Sequence, residues 1–185
     1  MGYLHKREDM LAAAVALARA EGLGALSFGR VARIVGTNDR TVVYYFPSKS
    51  DLMGAVLDDL GRELQDLLVT AFGDRPLPAH DLLQRSWPVL AQPQADPLIA
   101  IFFEIIGQAA VHRSPFDELA PVLLDQWLTW LEPRVDVADP GQRRDQAMAL
   151  LAQLDGLLLV RIVAGPAAAD QAARAFGIIP AQAAM

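Results

Sequence analysis

Apolar residues at the start of the chain recur with the spacing of an amphipathic helix. From about His5 to Ala20 they share one face, and Gly22 and Gly24 follow. Glycine tolerates the backbone conformations in which helices end. The pattern therefore predicts a first helix over about His5–Ala20, with its apolar positions at Met10, Leu11, Ala14, Val15, Leu17 and Ala18.

A second, shorter helix is predicted over Ser27–Val35. The Ser27 side chain can cap its first turn, and Val31, Ile34 and Val35 give it an apolar face. Gly36 follows directly, and glycine accepts the left-handed conformation that a tight turn requires. We therefore expect this helix to end at Gly36.

A third short helix is predicted to run toward Phe46. Asn38, or Thr37 before it, can cap its start. Pro47 disfavours helical geometry in the preceding residue, so the helix stops there. Two short helices joined by a glycine turn form the helix-turn-helix plan, whose second helix enters the DNA major groove.

The rest of the chain predicts further helices separated by proline-rich breaks. Ser48 to Asp51 has the form of a capping box, which opens a long helix. We find no convincing strand alternation, so the predicted fold class is all-α. The expected helices are Lys49 to about Ala71, Ala79–Ala91, Pro97–His112, Phe116–Glu132, Gln142–Ala164 and a short alanine-rich helix after Pro166, before a frayed tail beyond Ile179.

The segment Gln142–Ala164 is apolar around more of its circumference than a surface helix needs. A surface helix requires one apolar stripe, roughly 100° wide. The apolar positions here exceed that stripe. We therefore expect burial on two sides, either centrally in the chain's own domain or against another chain.

Charge is distributed unevenly along the chain. The net charge is −6, with +2 in residues 1–51 and −8 in residues 52–185. Such asymmetry is typical of a chain in which only one end faces a polyanion. The positive N-terminal share agrees with the helix-turn-helix prediction.

The composition indicates a protein of a reducing compartment. The chain has no cysteine, which excludes disulfides and thiolate metal sites. The N-terminal residues are too polar for a signal peptide, and uninterrupted apolar runs such as Leu98–Phe103 are far shorter than the roughly 18 residues of a membrane span. We therefore expect a soluble cytoplasmic protein with no membrane partner.

The stretch from Gly36 to Leu52, GTNDRTVVYYFPSKSDL, resembles the end of a TetR-family DNA-binding domain. That family has a Gly-Val-Ser turn, a Leu-Tyr-x-His/Tyr-Phe recognition helix and a Ser-Lys-acid-Leu segment; here Thr37 replaces the valine and Val43 the tyrosine. The resemblance covers about residues 5–60. It implies that residues 1–47 bind half of a palindromic operator in double-stranded DNA. It also implies that residues 48–185 form a homodimer and hold a small-molecule effector.

The residues expected to contact DNA cluster at the turn and the third helix. Arg40 can pair bidentately with guanine, and the Thr41 methyl can touch a thymine methyl. Asn38 can read adenine or act only as a cap, while Asp39 can accept from cytosine or sit at the positive helix end. The resemblance adds phosphate contacts; capping or solvation is the alternative for every residue. The full set is Ser27, Thr37, Asn38, Asp39, Arg40, Thr41, Tyr44, Tyr45 and Lys49, whereas Val42 and Phe46 are expected in the core.

A possible effector site comes from aromatic residues and one polar helix face in the second half. Glu104, Gln108 and His112 share a face by their four-residue spacing. Either this face is a solvated stripe or it lines a largely apolar cavity for a hydrophobic ligand. A charged residue within the apolar Gln142–Ala164 helix is expected to be paired or at an edge. The candidates are Trp87, Phe102, Phe103, Glu104, Gln108, His112, Trp127 and Asp155.

The sequence lacks the common signatures of enzymes. The three histidines are isolated from one another, and we find no metal-ligand spacing or glycine-rich phosphate loop. We therefore expect no catalytic residue, metal or cofactor. Two other interpretations remain: a DNA-binding regulator without an effector, and an all-α enzyme or partner-binding module.

Overall fold

The computed structural model describes residues 6–179, and every regular element in that range is a helix. The all-α prediction is confirmed, although the predicted helix start at His5 and the tail beyond Ile179 lie outside the described residues. The helices are α1 (Arg7–Glu21), α2 (Phe28–Val35), α3 (Asp39–Tyr45), α4 (Lys49–Phe72), α5 (Ala79–Leu90), α6 (Asp96–Ala110), α7 (Phe116–Leu131), α8 (Arg143–Ala164) and α9 (Pro166–Ala175).

Side-chain caps start the helices where the sequence predicts them. The Arg30 N–H donates to Ser27 Oγ at 3.3 Å at the start of α2. At the start of α4, the Asp51 N–H donates to Ser48 Oγ at 3.0 Å, and the Ser48 N–H donates to Asp51 Oδ2 at 2.9 Å. This reciprocal pair is the predicted capping box, which satisfies two backbone donors that a helix end leaves unpaired.

Gly36 makes the turn between α2 and α3. Its φ of 80° and ψ of 35° lie in the left-handed region, which a side chain would strain. The next N–H, of Thr37, donates to the Ala32 carbonyl at 2.8 Å and closes the end of α2. The turn therefore requires glycine for the reason that the sequence predicted.

Contacts divide the chain into two compact units. The first comprises the chain up to Leu64 together with Ile101–Leu123. The second comprises Gln65–Ala100 and the residues from Leu124 onward. The sequence suggested a boundary at residue 47, whereas this division gives parts of α4, α6 and α7 to each unit. The core of the first unit includes Met10, Leu23, Leu26, Val31, Val42, Phe46, Leu52, Met53 and Ile105.

The core of the second unit includes a buried cation. Arg161 of α8 is only 5% exposed, and it binds Asp96 through two hydrogen bonds, of 2.8 and 3.1 Å. A buried charge is tolerated when it is paired in this way. Arg161 thus shows the pairing that the sequence predicted for a charge in this helix.

Helix α8 has a buried face and an exposed apolar face. Leu150, Leu154, Leu157 and Leu158 are buried. The exposed apolar side chains of this helix are Met148, Leu159, Ile162 and Val163. By length and composition alone, the segment Pro140–Ala164 is apolar enough to cross a membrane. A helix in the core of a soluble protein also meets that test, and α8 buries Arg161 and leucines within its own unit.

We expect Ser48→Ala to lower the free energy of unfolding by about 1 kcal/mol, because it removes the cap of α4. Ser50→Ala, one residue inside the same helix, is the control and should change it by less than about 0.5 kcal/mol. Urea unfolding followed by circular dichroism measures both. Equal losses for the two variants would contradict a capping role for Ser48.

Candidate DNA-binding surface and effector region

The helix-turn-helix formed by α2, the Gly36 turn and α3 has buried apolar residues on one side and exposed polar residues on the other. Val42 of α3 and Phe46, directly after α3, are buried, as the sequence predicted. Most residues expected to contact DNA are exposed along the same helix and at its start. Ser27, Asn38, Asp39, Arg40, Tyr44 and Lys49 are exposed, whereas Thr37, Thr41 and Tyr45 are half-buried.

Arg40 and Tyr44 are the most accessible candidates on α3. Arg40 is exposed and pairs with no acidic side chain within residues 6–179. Tyr44 is 79% exposed, although it is aromatic, and its ring meets that of Tyr45 edge-on at 5.0 Å. An unpaired guanidinium and an exposed tyrosine suit contacts to base edges and backbone oxygens.

Two other residues of the surface have structural partners. Asn38 Oδ1 accepts from the Thr41 N–H at 3.2 Å and lies 3.3 Å from Thr41 Oγ1, so the side chain acts as the cap of α3. The Asp39 carboxylate lies against the first turn of α2, where a Cβ at Gly29 would stand 3.4 Å from Oδ2. Asp39 therefore lies near the first turns of both α2 and α3, where the helix dipole favours a negative charge.

Arg7 is a basic residue near this surface that the sequence analysis missed. Its guanidinium lies over the Phe46 ring, 4.9 Å from the centroid. Such a contact fixes a cation at the end of α3 while leaving it accessible. In the sequence Arg7 was only a charge at a helix start, and its partner lies 39 positions away, so spacing alone gave no signal.

Arg30 of α2 pairs with Glu21, the last residue of α1. It donates to both carboxylate oxygens of Glu21, at 2.9 and 2.5 Å. The hydrogen bonds lower the pKa of Glu21 and raise the pKa of Arg30. Arg30 therefore braces α2 against the end of α1.

The residues expected to form an effector site fall in different units. Phe102, Phe103, Glu104, Gln108 and His112 belong to the first unit. Trp87, Trp127 and Asp155 belong to the second.

The polar side chains of α6 have hydrogen-bond partners within the part of the chain that the structure describes. Glu104 binds the backbone of the α1–α2 connection, and Gln108 Oε1 accepts from Arg113 at 2.9 Å. His112 lies beyond the end of α6, is exposed and has a φ of 52°. The four-residue spacing therefore applies to Glu104 and Gln108, which lie within α6, and not to His112, which lies beyond its last residue.

The aromatic residues of the second unit include two packed groups. Trp127 is buried and meets Trp130 edge-on at 5.6 Å, while Phe72 lies 5.8 Å from Trp130. Trp87 is buried, and its Nε1–H donates to Asp170 Oδ1 at 3.2 Å. The indole of Trp87 is therefore a satisfied core residue that joins α5 to α9.

Asp155 differs from the other charged residues of the second unit. It is half-buried in α8, and no hydrogen-bond donor or cation among residues 6–179 pairs with it. Burial raises the pKa of Asp155 to about 6. A carboxyl in such surroundings is suited to a cationic or hydrogen-bonding group of a ligand. Among the described residues, no cluster of histidine, aspartate and glutamate is suited to hold a metal ion.

Asp155→Asn is expected to stabilise the protein at pH 7.5 by about 1–3 kcal/mol. The native pKa lies above the unfolded one, so ionisation of Asp155 weakens the fold as pH rises from about 4 through 6. The gain from asparagine should therefore shrink as the pH falls toward 4. Urea unfolding at several pH values tests this, with the exposed Asp136→Asn as the control. A gain independent of pH would contradict it.

The N-terminal part of the chain matches a known protein family. Residues 10–56 match the family model described as bacterial regulatory proteins, tetR family. No match is found among curated proteins.

Solved structures share the fold over nearly the whole chain. A putative TetR-family transcriptional regulator from Rhodococcus sp. is 17% identical, with a TM-score of 0.71, covering 95% of this chain and 98% of that chain. The multidrug binding protein EbrR, complexed with proflavin, is 22% identical, with a TM-score of 0.65 and coverages of 95% and 100%. The regulator FadR from Bacillus subtilis, in complex with stearoyl-CoA, is 15% identical, with a TM-score of 0.56 and coverages of 90% and 95%.

Proposed function

Since the chain belongs to the TetR family of DNA-binding transcriptional regulators, we propose that it is a ligand-responsive repressor. It acts as a cytoplasmic homodimer on a palindromic operator and is released by a small hydrophobic molecule. The observation that carries the DNA-binding part is the surface of α3, where Arg40 and Tyr44 are exposed after the Gly36 turn.

A homodimer is supported by the exposed apolar face at the C-terminal end of the chain. Leu159, Ile162 and Val163 of α8 are exposed, as is Phe176 after α9. A contiguous apolar surface is typical of a protein–protein contact. A twofold dimer also presents two recognition helices to half-sites about 34 Å apart, which explains the expectation of a palindrome.

An apolar effector is supported by the aromatic group of the second unit. Phe72, Trp127 and Trp130 lie close together there, and Asp155 of the same unit is a half-buried carboxyl whose pKa is raised by burial. We propose a mostly hydrophobic molecule without an anionic group, because Asp155 would repel an anion. EbrR with proflavin and FadR with stearoyl-CoA are two proteins of the same fold that hold organic ligands. The effector releases DNA only if it binds the DNA-incompetent state more tightly.

The test of the proposed function is selection of bound duplexes from a random pool by the full-length protein. We expect a palindromic consensus. Thermal-shift screening against a panel of apolar compounds should then find a ligand that raises the unfolding temperature and weakens binding to the consensus. A stabilising ligand that leaves DNA binding unchanged would count against ligand-responsive repression.

Arg40→Ala should cost about 1–3 kcal/mol of binding free energy on the selected duplex and relax the sequence preference. Lys49→Ala should instead weaken selected and scrambled duplexes alike and reduce the salt dependence, as expected for a phosphate contact. Gel-shift titrations on both duplexes measure these effects. Arg75→Ala removes an exposed charge of the second unit and serves as the control. Equal losses on the two duplexes for Arg40→Ala would rule out base reading by this side chain.

Val163→Glu should convert the dimer to a monomer, because Val163 is 76% exposed on the apolar face of α8. Sedimentation at low micromolar concentration should give about twice the 20.0 kDa chain mass for the parent protein. Val111→Glu places the same charge at a valine that is 67% exposed beyond α6, so it should leave the dimer intact. A parent protein that sediments as a monomer would refute the dimer.

A further inference from the structure

The connection between α1 and α2 depends on a carboxylate from a distant part of the chain. After Gly22, residues Leu23–Ala25 form a single 3₁₀ turn. The Leu23 N–H donates to Glu104 Oε2 and the Gly24 N–H to Glu104 Oε1, both at 2.9 Å. Each carboxylate oxygen thus satisfies one backbone donor, and charge-assisted bonds of this kind are the stronger class.

The close approach of Glu104 explains a glycine in this connection. Gly22 has a φ of 83°, and a Cβ built on it would lie 2.8 Å from Glu104 Oε2. A side chain at this position would therefore both strain the backbone and displace the carboxylate. Gly22 serves two purposes: it ends α1, and it leaves space for the Glu104 carboxylate.

The connection held by Glu104 sets the position of α2. Leu23, the first residue of the 3₁₀ turn, and Leu26, directly after the turn, are buried, and the next residue, Ser27, caps α2. Arg30 of α2 also binds Glu21 at the end of α1. Because α3 follows α2 after a single tight turn, a change in the connection moves the DNA-contacting helix as well.

We propose that Glu104 is a positioning residue for DNA binding, through which α6 sets the geometry of the helix-turn-helix. This inference rests on the proposed function. Hydrogen bonds weaken steeply beyond about 3.5 Å, so a shift of α6 by roughly 1 Å is enough to break both contacts. The same helix begins at Asp96, which pairs with the buried Arg161 of α8.

The first test follows the two amides in the full-length protein. In Glu104→Gln the carboxamide keeps one acceptor but turns a donor toward the second N–H; Glu104→Ala removes both acceptors. Hydrogen exchange of the Leu23 and Gly24 amides, measured by NMR at 25 °C, should accelerate at least about tenfold in Glu104→Ala. Glu118→Gln is the control, because Glu118 is exposed on α7 and its substitution removes the same charge. Unchanged exchange in both Glu104 variants would overturn the proposal.

The second test measures binding to the duplex selected by the parent protein and to a scrambled duplex. Glu104→Gln should weaken binding to the selected duplex by about fivefold or more relative to Glu118→Gln, with equal binding to the scrambled duplex. Because the two variants have the same net charge, a general electrostatic gain cancels between them. Glu104→Ala should show at least the same loss.

The outcomes separate the two proposals. Faster exchange with unchanged binding to the selected duplex would show that Glu104 only stabilises the connection, which would overturn the positioning role and leave the proposed function intact. A parent protein without preference for any duplex would overturn the proposed function, and the positioning role would fall with it. Equal losses on both duplexes would overturn the positioning role alone.

Discussion

Helices as short as α2 and α3, of eight and seven residues, are not stable in water by themselves. The N–H groups in the first turn of each helix have no acceptor within the helix and need one from outside it. The DNA-contacting surface depends on these capping contacts. Ser27 and Asn38 accept hydrogen bonds from backbone N–H groups in the first turns of α2 and α3. Glu104 accepts from a backbone N–H group in the connection before α2. Each of these contacts fixes a helix end, so Arg40 is presented on a defined helix instead of a fluctuating loop.

The sequence could predict the contacts that act over three or four residues. Ser27, Gly36, Asn38 and the Ser48–Asp51 pair all follow local rules of helix capping, so their roles and most helix bounds were predicted. It could not predict contacts between distant residues. Glu104 meets Leu23 across 81 positions, and Arg161 meets Asp96 across 65. Periodicity says which residues share a helix face, but it does not say what that face touches.

Asp155 and Arg161, two of the charged residues of α8, show two ways in which a charged group responds to burial. Arg161 is buried, and two hydrogen bonds to Asp96 compensate its desolvation. Asp155 has no such partner among residues 6–179, and burial raises the pKa of its carboxyl because it disfavours the charged form. The first arrangement fixes the start of α6 against α8. The second leaves a carboxyl whose pKa is raised to about 6 by burial.

We propose that a second copy of the chain, and not a lipid bilayer, covers the exposed apolar face of α8. A membrane-spanning helix must keep ionisable groups away from hydrocarbon or bury them inside a bundle. In α8 the buried side carries leucines together with Arg161, and its exposed side carries Leu159 and Val163. One face of α8 therefore packs within the chain's own core, and only the apolar stripe with Leu159 and Val163 is left exposed to solvent. A twofold contact covers that stripe on both copies at once, because the same patch serves as both halves of the interface.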